Sequence, residues 1–280
     1  MSVNAISLRR FFTPAIVCRH VSLVNGSAAA SYAFKKIPMS RNRFAAVASL
    51  ILIFSSVFGA SRPAWAQDAK NQYPSMAPLD EYLMADRSAE IALARSAAPT
   101  SISGDATVLV LDKTGYQTAA EGKNGFTCLV ERAWMNPFDS PEFWNQKMRG
   151  PICYNPAAVR TILPYTINRT KLVLAGLSKA QIRESIVAAV AKNELPTPEA
   201  GAMSYMMSKE SNLGDSAGHW HPHLMFSVPK TNAASWGADA EDSPVVFNDQ
   251  FVDFPEPETI FMVVVSHWSD GSPAIHQPMN

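Results

Sequence analysis

The sequence predicts an α+β fold: a single domain with a mixed, mostly antiparallel sheet of about six strands and two or three helices packed on one face. Strand-like segments begin near residue 107, where the chain is β-branched and apolar, and resume near residue 202, and helical periodicity lies between them. Strands, then helices, then strands again are typical of this class. We therefore expect one α+β domain over residues 79–280.

The first 66 residues carry eight basic side chains and no acidic ones, whereas all 24 acidic residues follow Ala66. Residues 39–66 match a secretory signal peptide, with a basic start, an apolar run over 44–58 and an Ala64-Trp65-Ala66 cleavage site. The apolar run is shorter than the ~20 residues of a spanning helix, which favours cleavage over a membrane anchor through residues 44–60. We expect a periplasmic or secreted protein.

The chain before and just after this signal is expected to lie outside the folded domain. Residues 1–38 are an upstream extension, explained either by a translation start at Met39 or by an organellar transit peptide. Residues 67–78 are polar and contain proline, as in a flexible arm.

The charge of the mature chain, residues 67–280, indicates which classes of partner it can bind. It has 16 basic and 24 acidic side chains, a net charge of −8. Nucleic acid needs clustered Lys and Arg, so we expect no nucleic-acid binding. A small molecule or a protein is the expected partner, and a membrane only through an uncleaved signal segment.

Two cysteines, Cys128 and Cys153, remain after cleavage. An even pair in an exported chain favours a disulfide over a metal-thiolate site, with two buried free thiols as the alternative. Closing such a loop stabilises a fold by roughly 3–4 kcal/mol in the chain-entropy model.

Local signals place the secondary structure. Ser178 and Gln181 form a capping box, and together with Leu177 and Ile182 as a hydrophobic staple they predict a helix over 178–193. Two further helices are expected, one from Leu79 to Arg95 and one that begins at Asn155 and is ended by Pro164. Strands are expected at 107–111, 116–119, 126–134, 202–207, 220–228, 245–247 and 259–268, the first three forming a meander. Residues 230–258 are expected to cross the surface, in a position to frame a cleft.

The candidate site centres on His219, His221 and His223, which are spaced by two. In an extended segment these imidazoles share one face with Met225, while the other face carries Trp220, Pro222, Leu224 and Phe226. Two of the histidines, with His267 from a neighbouring strand, would hold a zinc or copper ion with one position open. Asp270 would serve as a ligand or orient one by a hydrogen bond.

Other interpretations of this segment stay open. The thioethers of Met203, Met206 and Met207 suit Cu(I), although methionine also fills gaps in cores. The His-x-His pair is similar to those of α-type carbonic anhydrases and cupins, but the distance from His221 to His267 and the missing cupin glutamate fit neither family. The alternative is a metal-free ligand-binding or interaction module whose histidines line a groove.

A second alternative is a serine hydrolase. Gly214-Asp-Ser-Ala-Gly218 resembles the nucleophile elbow of α/β-hydrolases, which would make Ser216 the nucleophile. That elbow needs a strand before it and a helix after it. A polar segment precedes this one and Pro222 follows closely, so the sequence favours a turn between two strands.

Overall fold

The computed structural model describes residues 72–215, 217–218, 220–238, 240–247 and 254–274. The predicted extension 1–38 and signal peptide 39–66 lie outside these residues, as do Ser216 and His219. Within the described part of the chain, no helix is long and apolar enough to cross a membrane.

The described residues form one eight-stranded mixed sheet with five α-helices, which confirms the α+β class; the strand at Gly150–Tyr154 is the one for which the sequence predicted no segment. The sheet order is β2-β1-β3-β4-β5-β6-β8-β7. Neighbouring strands are antiparallel except β1 and β3. The strands are β1 Thr107–Asp112, β2 Gly115–Ala120, β3 Thr127–Glu131, β4 Gly150–Tyr154, β5 Met203–Met206, β6 His223–Pro229, β7 Val245–Val246 and β8 Glu258–Val264.

The predicted meander of the first three strands is wrong. β3 pairs with β1 in parallel, Val108 opposite Cys128, and so lies on the side of β1 away from β2. The chain crosses beyond the start of β1, where the Lys123 N–H donates to the Asp105 carbonyl at 2.9 Å. A Cβ on Gly122 would lie 2.3 Å from the backbone of Ala106, so this crossing requires glycine.

The α-helices are α1 Arg87–Arg95, α2 Thr100–Ser103, α3 Pro156–Thr161, α4 Leu163–Leu174 and α5 Lys179–Ala191. The capping box at Ser178 is formed as predicted and begins α5. Pro164 was expected to end a helix, but it lies in the first turn of α4, where its missing N–H costs no hydrogen bond. The helix predicted from Leu79 starts only at Arg87, after a 3-10 turn at Leu79–Glu81 and a cap by Asp86.

The helices lie on both faces of the sheet, where the sequence predicted one. Cys128 and Val130 of β3 pack in one cluster with α1, whereas Leu129 between them packs with α3 and α4. Successive strand residues point to opposite faces, which assigns the two clusters to opposite sides. The Cys128–Cys153 disulfide is formed on the α1 side, between directly paired residues of β3 and β4.

The described part of the expected arm, residues 72–78, has no helix or strand. Tyr73, Met76 and Ala77 nevertheless pack against the core beside α5. The Tyr73 hydroxyl also donates to Asp215 at 2.6 Å.

Candidate ligand-binding site

A cavity of about 630 Å³ lies on the sheet face opposite α1. Its floor is built from every second residue of three adjacent strands, because alternate residues of a strand share one face. These residues are Ser204 and Met206 of β5, His223, Met225 and Ser227 of β6, and Glu258, Ile260 and Met262 of β8.

The remaining lining comes from helices, from irregular segments and from further strand residues, namely Glu131 of β3, Ile152 and Tyr154 of β4 and Val246 of β7. Ile162, Tyr165 and Thr166 line the cavity from the α3–α4 region. Val246, Phe247 and Phe254 come from the segment 230–258, which was expected to frame a cleft. Apolar side chains predominate, and the lining residues that the structure describes include no Lys or Arg. Cavities of this size and composition commonly hold small molecules.

Glu258 is the lining residue with a buried polar atom that lacks a hydrogen-bond partner. The residue is 5% exposed, and its Oε2 atom has no hydrogen-bond partner among the described residues. Burial, reinforced by the neighbouring Glu256 carboxylate, raises the pKa of Glu258 to about 8. Glu258 therefore carries a proton at neutral pH when the cavity is empty.

Glu131, a second carboxyl in the lining, has its partners in place. Its Oε1 atom accepts hydrogen bonds from the Tyr154 hydroxyl at 2.6 Å and from the Thr166 hydroxyl at 3.1 Å. Burial raises its pKa, while both hydrogen bonds oppose that shift. The Oε1 atom of Glu131 thus has two partners, whereas Glu258 has a side-chain hydrogen bond with Ser227 but no partner for its Oε2 atom.

His223 lies on the cavity floor, and burial lowers its pKa to about 4. The ring is neutral at pH 7. Its Nδ1 atom lies 2.7 Å from the His221 carbonyl oxygen, which can only accept, so Nδ1 carries the proton and Nε2 the lone pair. His223 and Met225 share a face as predicted.

The prediction that Trp220 lies on the strand face away from His223 and Met225 was wrong. Trp220 lines the same cavity, and its ring centroid lies 4.7 Å from that of His223. The strand begins only at His223, after Pro222, whose missing N–H cannot join the ladder. Strict alternation therefore does not extend back to residue 220.

The other predicted metal-site residues that the structure describes, His221, His267 and Asp270, are not among the residues that line the cavity. His267 is exposed and its Nδ1 atom lies 2.8 Å from the Ser266 hydroxyl. Asp270 pairs with Lys209 at 2.7 Å and accepts two hydrogen bonds from Ser272, and these partners hold its pKa below the usual range. Within the described residues, no group of three or more His, Cys, Asp or Glu side chains is arranged to hold a metal ion.

The Gly214–Gly218 string lies in the long connection between β5 and β6. Its described residues form a turn, in which the Gly218 N–H donates to the Gly214 carbonyl at 2.8 Å. Neither a strand leading into Gly214 nor a helix following Gly218 is present among the residues described here. The part of the string that the structure describes therefore lacks the strand–turn–helix context of a nucleophile elbow.

No family model matches the chain, and comparison with curated proteins and with solved structures finds no significant match. The candidate site therefore depends on geometry alone. Glu131 and Glu258 were not among the residues predicted from the sequence. Their only signal is a carboxyl residue at the edge of an apolar strand, which is also where solvent-exposed charges are common.

Proposed function

We propose that this protein is an exported binding protein that holds a small, mostly apolar molecule in the sheet-face cavity. The leader at residues 39–66 and the Cys128–Cys153 disulfide support export. The volume of about 630 Å³ and the apolar walls support a small-molecule ligand over a macromolecular one.

The observation that carries this proposal is the unpartnered Oε2 atom of Glu258. A buried polar atom without a partner costs about 1–3 kcal/mol. This cost is removed if a bound molecule supplies the missing hydrogen bond. Satisfied neighbours such as Glu131 show that the same cavity wall does provide partners elsewhere.

The first test is binding of N-phenyl-1-naphthylamine, a probe whose fluorescence rises in apolar surroundings, to the mature chain 67–280. We expect saturable binding at one site. Ser204 is buried on the cavity floor, so Ser204→Leu fills part of the volume and should weaken binding at least tenfold.

Thr118→Leu is the matched control, because it adds similar bulk at an exposed strand position. Thermal unfolding verifies that both variants fold. Absence of saturable binding by the parent, or equal binding by folded Ser204→Leu, overturns the proposal.

A Cu(I) site on the cavity floor is the second candidate. Met206 lies directly opposite His223 in the β5–β6 register, and Met225 opposite Met262 in the β6–β8 register. All four side chains line the cavity, and the proton on Nδ1 of His223 leaves Nε2 as the coordinating nitrogen. Thioether and imidazole ligands suit Cu(I) better than zinc.

Anaerobic Cu(I) titration against a chromophoric chelator tests this site. We expect one Cu(I) per chain and at least a tenfold loss of affinity in Met225→Leu, an apolar replacement of similar size. Met203→Leu is the control, because Met203 alternates with the cavity-facing Ser204. Unchanged affinity in Met225→Leu, or a loss in His267→Ala instead, excludes this floor site.

A further inference from the structure

We propose that the molecule held in the cavity is an organic amine, bound as its ammonium ion with Glu258 as the counter-ion. This inference rests on the proposed binding function and adds the chemical class of the ligand. It follows from the charge of the lining, from the aromatic walls and from the unpartnered oxygen of Glu258.

The charged groups of the lining favour a cation. Glu131 and Glu258 are its only Asp, Glu, Lys or Arg residues among those described, and no fixed positive charge faces them from the wall. Nearby cations are already engaged: Arg169 forms a bidentate pair with Glu256, and Lys230 donates to the Phe254 carbonyl at 2.9 Å. A carboxylate ligand would meet two buried acids, whereas an ammonium would meet a partner.

The walls also favour a cation, because aromatic faces attract positive charge. Among the described residues, five aromatic side chains line the cavity: Tyr154, Tyr165, Trp220, Phe247 and Phe254. One of them has this role already, since the Arg169 guanidinium carbon lies 4.6 Å from the ring centroid of Phe254. An amine with an apolar body therefore matches both the charge and the surface of the cavity.

Proton release is a consequence of this mode of binding. In the empty cavity Glu258 is protonated at neutral pH, so an ammonium ion that pairs with it must displace that proton into the solvent. The amine keeps its own proton and forms an N–H hydrogen bond to Oε2. Affinity should thus rise with pH by about tenfold per unit up to pH 8 and level off above it.

Other groups around Glu258 must be separated from this effect. Those that interact with it electrostatically or face the same cavity are Glu256, Arg169, Lys230, Tyr154, Tyr165, Glu131 and His223. The pKa of His223, about 4, and the raised pKa values of Tyr154 and Tyr165 keep these three groups neutral between pH 6 and 9. The comparison with Glu258→Gln separates the titration of Glu258 from that of the remaining groups.

The experiment compares three probes of similar size, 4-phenylbutylamine, 4-phenyl-1-butanol and 4-phenylbutyrate, by calorimetry on the mature chain. We expect the amine to bind at least tenfold more tightly than the alcohol at pH 8, and the carboxylate to bind most weakly. In Glu258→Gln the ratio of amine to alcohol affinity should fall at least tenfold, while the exposed control Glu184→Gln keeps it.

Calorimetry in buffers of different ionisation enthalpy gives a readout that needs no variant. About one proton should be released per amine bound at pH 6.5, and almost none at pH 9. Equal affinity for amine and alcohol, or amine binding without proton release at pH 6.5, overturns the amine inference. Those results leave the cavity as a binding site, whereas failure of all three probes together with the naphthylamine would reject the proposed function itself.

Discussion

Burial acts in opposite directions on the pKa values of two residues of the cavity floor. The carboxyl group of Glu258 has its pKa raised to about 8, and the imidazole of His223 has its pKa lowered to about 4. Both shifts have desolvation as their largest cause, because an apolar cavity disfavours the charged form of either group. At pH 7 both side chains are therefore uncharged in the empty cavity, and each can still form hydrogen bonds to a ligand.

The raised pKa of Glu258 predicts how stability depends on pH. Between its usual pKa near 4.5 and about 8, the folded state binds a proton that the unfolded state has released, so stability falls as pH rises through this window. Above pH 8 no further loss is expected from this group. Glu258→Gln removes the titration, and urea unfolding of parent and variant at pH 6.5 and 8.5 measures the difference.

The expected outcome is a gain of Glu258→Gln relative to the parent on going from pH 6.5 to 8.5, at most about 1.4 kcal/mol per pH unit. His223 is neutral in the folded state throughout this range, and the small contribution from its unfolded-state titration is the same in the parent and in Glu258→Gln, so it cancels in the comparison. Glu184→Gln, at an exposed helix position, should follow the parent. Parallel pH dependence in parent and Glu258→Gln would show that Glu258 ionises normally in the fold.

At the scale of elements, sequence signals predicted structure where the deciding contacts are local. The capping box of Ser178 and Gln181 spans four residues, and α5 begins there as predicted. The crossing from β2 to β3 depends instead on Gly122 passing against Ala106, a contact between segments that are remote in the sequence. Pro164 suits both the end of one helix and the start of another, so only packing decides between them.

The same limit applies to the candidate site. Alternation along β6 predicted that His223 and Met225 share a face, because both lie on one strand. The cavity, however, combines residues from β3 to β8 with the loops that close it, and the sheet order could not be read from the strands themselves. Glu258 acquires its importance only from that assembly, since the sequence shows it merely as a polar residue before an apolar run.

At the scale of the whole molecule, a buried ion pair fixes the segment before β8 to the helices. Arg169 of α4 binds both carboxylate oxygens of Glu256, at 2.6 and 2.7 Å, and both side chains are almost completely buried. The guanidinium also donates to the carbonyls of Trp134 and Asn136. Arg169 thereby joins α4, the loop after β3 and the chain that carries Glu258.

This Arg169–Glu256 ion pair predicts that single and double substitutions have very different effects on the free energy of unfolding. Arg169→Leu leaves the Glu256 carboxylate buried without its partner, which should lower the free energy of unfolding by about 3–5 kcal/mol. Replacing both residues, as in Arg169→Leu with Glu256→Leu, removes the unpaired charge, so much of that loss should be recovered. Urea unfolding of the parent, both single variants and the double variant gives the interaction energy of the pair as a double-mutant cycle. The exposed Arg160–Glu199 pair is the control, and we expect it to contribute about 1 kcal/mol or less. If the loss of stability in the double variant equals the sum of the losses in the two single variants, Arg169 and Glu256 act independently and the proposed stabilising ion pair is rejected.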